Sequence, residues 1–202
     1  MRIKIIVEGG GETKLLRSKC RQGFSKFFSK TGMEHQKPSV IASGSRRSAF
    51  DDFCAAVHRA KKDEFIVLLV DSEDPIAAGS SPWQHLKARD SWNQPSDATD
   101  DQVHLMVQCM EAWFLADKDC LVAYYGNDFN QNALPARQDI ENIAKNDVLN
   151  GLKNATRSGV SKGEYGKGQH SFDILAQIDP DKVVAASPHA KRLVDTLKAK
   201  IR

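Results

Sequence analysis

A chain of 202 residues with 41% hydrophobic residues is long enough to bury one substantial core without disulfide or metal staples. No apolar run approaches the roughly 20 residues that cross a bilayer, which excludes a membrane-spanning class. The net charge of +3 conceals a segregation: residues 1–62 carry 14 Lys/Arg against 5 Asp/Glu, residues 63–147 carry 5 against 16, and residues 148–202 carry 10 against 5. An acidic middle between basic flanks suits a metal-dependent enzyme acting on a polyanion, because carboxylates hold a cation while Lys and Arg hold phosphates; unrelated solvated faces would give the same tally.

In chain order, Arg2 to Val7 (RIKIIV) reads as a short β-branched strand that ends at Glu8 and the turn Gly9-Gly10-Gly11. From Glu12 to about Ser29, apolar Leu15, Leu16, Cys20, Phe24, Phe27 and Phe28 recur at helical spacing among basic residues. Pro38 to Ala42 is a second strand, and Ser43 to Ser45 opens a helix running through Ala60. Phe65 to Val70 (FIVLLV) is apolar without alternation, the pattern of a central strand buried on both faces of a parallel sheet.

The stretch from Ser72 to Asp101 is polar and holds three prolines and two tryptophans, with one short helix near Pro82 to Arg89. So long a connection is expected to be functional or partly disordered. Val103 to Val107 is a fourth strand, leading into a helix from Cys109 to about Ala116. The remainder reads as helical near Leu121–Tyr125, Ala136–Ala144, Val148–Thr156, Phe172–Gln177 and Pro188–Ile201. Alternation of strands and helices predicts an α/β fold with an open, mainly parallel four-stranded sheet flanked by helices. The chain is expected to form a single domain over 1–202, with a core of about 1–125 and a helical C-terminal portion of about 126–202.

Cys20, Cys54, Cys109 and Cys120 form no CxxC pair and are expected to be reduced core residues of a cytosolic protein. The sequence passes from Met1 directly into a strand without a leader-like apolar segment, so the expectation is a soluble, cytoplasmic protein with no membrane partner. Six histidines show no zinc-ligand spacing, and His170 reads as a surface residue, kept as a minor candidate by its position after Lys167.

Ligands of open α/β sheets gather at the carboxyl ends of the strands. Glu8 ends the first strand, Asp71 with Glu73 and Asp74 ends the third, and Glu111 follows the fourth. Carboxylates drawn to one edge repel one another unless a hard cation lies between them, and Mg²⁺ accepts one or two such oxygens together with water and phosphate. Glu8 is alternatively a solvated strand end, Glu111 a helix-surface carboxylate, Trp113 a core indole and Asp117 a helix cap. The three glycines are either a tight turn or an anion-binding nest. Arg157 to His170 (RSGVSKGEYGKGQH) is either a phosphate-binding loop that presents Lys167 and Lys162 or an exposed linker.

VEGGGE (Val7 to Glu12) and LLVDSED (Leu68 to Asp74) resemble the Toprim fold of topoisomerases, primases and OLD-type nucleases. MVQCMEAWFLAD (Met106 to Asp117), with YGK (Tyr165 to Lys167), DPDKV and SPHAKRLV, more narrowly resembles the domain-of-unknown-function 4276 family, a Toprim-like prokaryotic group with relatives encoded beside ATPases in phage-defence loci. The resemblance implies that Glu8 is a general acid/base or metal ligand and that Asp71 and Glu73 are the metal pair. Glu73 stands where the Toprim pattern has Asp, with Asp74 beside it, so either acid is a candidate ligand. The expected function is Mg²⁺-dependent (or Mn²⁺-dependent) hydrolysis of phosphodiester bonds in DNA or RNA. Glu8, Glu111 and Lys167 are the expected catalytic groups, Asp71, Glu73 and Asp74 the metal-binding ones, and Gly10, Gly11, Lys14, Arg17 and Lys162 the phosphate-binding ones. A non-catalytic subunit of a partner ATPase and a primase-like nucleotidyl transferase are the alternatives.

Overall fold

The computed structural model describes residues 1–201. Four parallel strands, β1 (Arg2–Val7), β2 (Ser39–Ala42), β3 (Glu64–Asp71) and β4 (Val103–Met106), lie in the order β2-β1-β3-β4. β3 is central, and Phe65 to Asp71 are all buried, as its unbroken apolar run requires. Side chains alternate along each strand, so the odd-numbered Ile3, Ile5, Val7, Phe65, Val67 and Leu69 enter one core, while the even-numbered Ile6, Ile66, Leu68 and Val70 enter the other.

The odd-residue core is covered by α1 (Lys14–Ser29) and by the C-terminal helices α4 (Lys118–Tyr125), α5 (Lys145–Thr156), α6 (Ser171–Leu175), α7 (Pro180–Ala186) and α8 (Pro188–Ile201). Thr13 caps α1 by accepting the Leu16 amide, and Cys20, Phe24, Phe27 and Phe28 form its buried stripe, with Phe27 stacked on Trp113. The even-residue core is covered by α2 (Arg46–His58) and α3 (Pro82–Asp90). No helix among the described residues is long and apolar enough to cross a membrane.

The short helix expected near Pro82 to Arg89 is present as α3, where Ser81 and Gln84 form a capping box, and Trp83, Leu86 and Trp92 bury in the even-residue core, Trp92 stacking on Phe50. Three widely spaced apolar anchors hold a stretch whose composition is polar. Three local features differ from expectation. Met110 to Ala116 winds as a tighter 3-10 helix instead of an α-helix. Ala136 to Ala144 contains only the short 3-10 turn Ile140–Asn142, and Ala144 is extended; Asp139 and Asn142 favour turns because their side chains compete for local hydrogen bonds. α7 was not anticipated, although Asp179 caps it and Pro180 occupies its first turn.

Among the described residues the cysteines are all free; Cys20 and Cys109 are buried, and Cys54 and Cys120 half-buried. Burial pushes the Cys20 thiol up to about 12, which suits packing and not nucleophilic chemistry.

Candidate functional site

The strand order makes consecutive connections leave β1 in opposite directions, toward β2 and then back across to β3. The crevice outside the carboxyl ends of β1 and β3 is therefore the topological switch point, where open α/β sheets bind ligands. Glu8 follows β1 and Asp71 ends β3, so the two acids enter this crevice from adjacent strands. Glu73 joins them: one carboxylate oxygen from each of Glu8, Asp71 and Glu73 lies within 4.8 Å of the others.

Local backbone geometry selects between Glu73 and Asp74. Glu73 has φ 67°, a left-handed conformation that a non-glycine residue adopts at a cost, and its amide donates to the Gln108 carbonyl at 2.8 Å. Its side chain turns into the cluster, whereas Asp74 is 68% exposed and pairs with Arg89 at 3.3 Å. The sequence-based expectation for Asp74 as a metal ligand is corrected accordingly: it lies outside the group that can share one cation.

Asp71 is buried, and its Oδ1 accepts the Met110 amide at 2.8 Å. Desolvation pushes its carboxyl up to about 7; the nearby charges of Glu111 and Glu8 act in the same direction, while Lys167 and Lys145 oppose it. Glu111 enters from the 3-10 helix after β4 and is fully buried. Tyr165 donates to its Oε1 at 3.0 Å, while Oε2 is buried without a hydrogen-bond partner. The neighbour that answers this charge is Lys167, whose Nζ lies 3.7 Å from Glu111 Oε2 and 3.6 Å from Asp71 Oδ2. Burial opposes the ammonium charge of Lys167, but the two carboxylates raise its pKa above the ordinary lysine value.

Two cations that the sequence did not single out complete the arrangement. Lys145, at the start of α5, lies 2.6 Å from both Glu73 oxygens and 3.8 Å from Asp71 Oδ2, and holds the Glu73 carboxyl below its usual range against the effect of burial. Arg46, at the start of α2, donates to Glu8 at 3.1 Å, to the Asp71 carbonyl, and to both oxygens of Asp90. Arg46 had one signal, its place just after the cap Ser45 at the carboxyl end of β2. Lys145 had none, because only tertiary docking of α5 brings it to the sheet edge. The carboxylates of Glu8, Asp71, Glu73 and Glu111 thus face Arg46, Lys145 and Lys167, with Arg89 3.9 Å from Glu73, an arrangement rich in oxygen donors in which Glu111 Oε2 lacks a hydrogen bond.

Among the expected phosphate-binding residues, Gly10 and Gly11 line a cavity beside the cluster. A Cβ on Gly10 would fall 2.8 Å from the Arg17 Cα, so only glycine lets the loop pack this closely on α1. Arg17 donates to the Gly11 carbonyl at 3.2 Å and so braces the loop. Lys14 is exposed. Lys162 is not brought to the cluster; its ammonium lies 4.3 Å from the centre of the Tyr124 ring. His170 is buried and not a surface residue: Nδ1 accepts the Gly166 amide and Nε2 donates to the Lys162 carbonyl. It thereby pins the glycine-rich segment that delivers Tyr165 and Lys167. Asp117 caps α4 and binds Lys182 at 2.6 Å.

No curated protein and no solved structure matches the chain. A family model described as a domain of unknown function (DUF4276) matches residues 7–198, a span that includes every member of the cluster, and the chain belongs to that family.

Proposed function

We propose that the chain is a Toprim-like, divalent-cation-dependent phosphodiesterase that hydrolyses nucleic acid. The observation that carries this reading is the convergence of Glu8, Asp71 and Glu73 within 4.8 Å at the sheet's switch point. The donor set fits a hard cation: the three groups that come together are carboxylates, with no imidazole or thiolate among them, which favours Mg²⁺ or Mn²⁺ over zinc. The orphaned Oε2 of Glu111 adds a buried, unsatisfied anionic oxygen beside them.

Asp71 and Glu73 would hold the cation, which when bound supplies charge stabilisation for a phosphoryl oxygen and a more acidic water. Glu8, its side chain 21% exposed, borders the same group of oxygens and would serve as the general base. Lys167, paired with Asp71 and Glu111, would present its ammonium toward charge developing on the phosphate. Glu111 holds Lys167 in place, and Tyr165 holds Glu111. Arg46 orients Glu8.

The test is cleavage of single- and double-stranded DNA and RNA by purified protein, alone and with any ATPase that co-purifies, in Mg²⁺, Mn²⁺ or chelator. Cation-dependent cleavage that disappears in Asp71→Asn is the expected result. No cleavage, together with no cation-induced rise in melting temperature, would transfer the protein to the class of non-catalytic partner subunits, and nucleotide incorporation would make it a nucleotidyl transferase.

A further inference from the structure

Beside the acid cluster lies a cavity of about 290 Å³ that shares Glu8, Asp71 and Lys167 with it. Its other walls have a different character: Leu16 from α1, Met110, and Phe172 from α6 are apolar, and the backbones of Gly9 to Gly11 and Gly168 complete the lining. We propose that this cavity seats one unstacked nucleobase of the substrate strand. The inference rests on the phosphodiesterase reading above and names what the same site binds besides phosphate.

Three observations converge on a base. The volume of about 290 Å³ lies close to the lower bound of small-ligand pockets, roughly 300–1,000 Å³, and has room for a single ring system. The walls divide between charged groups at the cluster and apolar side chains away from it, which matches a ligand whose anionic phosphate is joined to a flat, weakly polar ring. The glycine wall lacks side chains where such a ring would lie: a Cβ on Gly9 would stand 3.4 Å from the Phe172 ring, and Cβ atoms on Gly11 and Gly168 would stand 3.5 and 3.7 Å from the Leu16 methyls. Side chains at these positions would meet the apolar residues that line the cavity.

A base inside a duplex is stacked and paired, so it reaches such a cavity only from a single strand, a strand end or an extruded position. The substrate is therefore a single-stranded or terminal nucleotide unit. Base stacking on aromatic and apolar side chains is tolerant of sequence, and the cavity accordingly selects for the presence of a base and not for its identity.

The experiment is calorimetric titration, with Mg²⁺ present, of deoxyadenosine 5′-monophosphate and of 2-deoxyribose 5-phosphate, which has the same phosphate and sugar without the base. The nucleotide is expected to bind tenfold or more tightly than the sugar phosphate. Leu16→Trp fills the cavity from the partly exposed side of α1 and is expected to erase that preference while leaving sugar-phosphate and Mn²⁺ binding unchanged; Leu16→Phe, a smaller change, should reduce it part-way. Equal affinities in the parent, or a preference undiminished in both variants, would overturn the nucleobase assignment and leave the phosphodiesterase reading intact. A parent that fails to bind Mn²⁺ would overturn that reading first, and this inference with it.

Discussion

The hydroxyl of Tyr165 donates to Oε1 of Glu111 at 3.0 Å, and both side chains are buried. Among the described residues no other hydrogen-bond donor serves this carboxylate, since Oε2 has none and Lys167 stands 3.7 Å away. Burial together with the Glu111 charge raises the Tyr165 pKa, so the phenol stays protonated and remains a donor. Tyr165→Phe is expected to leave the fold intact and to cost ~1–3 kcal/mol, the penalty of an unsatisfied buried acceptor. Urea unfolding measures it directly. An unchanged midpoint would mean that the hydroxyl contributes nothing to holding Glu111.

His104 in β4 is 1% exposed and is fixed as a neutral imidazole from both sides. Nε2 donates to the Asp101 carbonyl at 3.0 Å, and Nδ1 accepts from Arg192 at 3.2 Å. Desolvation, reinforced by the Arg192 charge, lowers its pKa from 6.5 to about 3. The unfolded chain therefore takes up a proton below about pH 6.5 that the folded chain refuses until about pH 3, so His104 lowers stability as the pH falls through that window, with a slope of up to ~1.4 kcal/mol per pH unit. His104→Asn should be less stable than the parent at pH 7 and should show a flatter decline between pH 6 and pH 4 in urea melts. A decline as steep as the parent's would place the acid sensitivity elsewhere.

Much of this architecture was legible for reasons that are physical and local. Phe65 to Val70 announced a central strand, because seven consecutive buried positions from Phe65 to Asp71 need cover on both faces. Glu8 and Asp71 were legible as partners because parallel strands deliver their carboxyl ends to one edge. What escaped depended on tertiary docking. Lys145 reaches Glu73 across 72 positions of sequence, through a helix whose own pattern specifies an apolar face but not where it lands. His170 looked solvated, yet it is buried against the Gly166 amide, because a glycine-rich segment needs an internal staple that composition does not reveal.

Asp71→Asn separates metal binding from folding. Asn keeps the acceptor for the Met110 amide but deletes a buried charge whose carboxyl desolvation has pushed to about 7. Because the folded pKa lies above the ordinary 3.8, ionised Asp71 erodes stability as the pH rises through that interval. The variant should therefore be more stable than the parent at pH 8 without metal, by on the order of 1–3 kcal/mol. Mg²⁺ should no longer raise its melting temperature, and cleavage should be lost. Activity equal to the parent's would remove Asp71 from the centre of the site.

Lys145→Met asks whether an internal cation competes with the external one. The ammonium lies 2.6 Å from both Glu73 oxygens, and each side chain is 22% exposed, so the pair is shielded enough to matter and open enough to exchange. Without metal, its loss leaves Glu73 facing Asp71 and Glu8 with less compensation, and the variant should be less stable by ~1–2 kcal/mol. With metal the sign reverses, because carboxylates released from Lys145 are freer to bind a cation and the repulsion among them makes that binding more favourable. The rise in melting temperature with Mg²⁺ should therefore begin at several-fold lower concentration than in the parent and reach a larger final value, as linkage between binding and folding requires. Melting temperature measured against Mg²⁺ concentration gives both quantities in one series. If the variant responds to Mg²⁺ more weakly than the parent, Lys145 supports the cation site and does not compete for it.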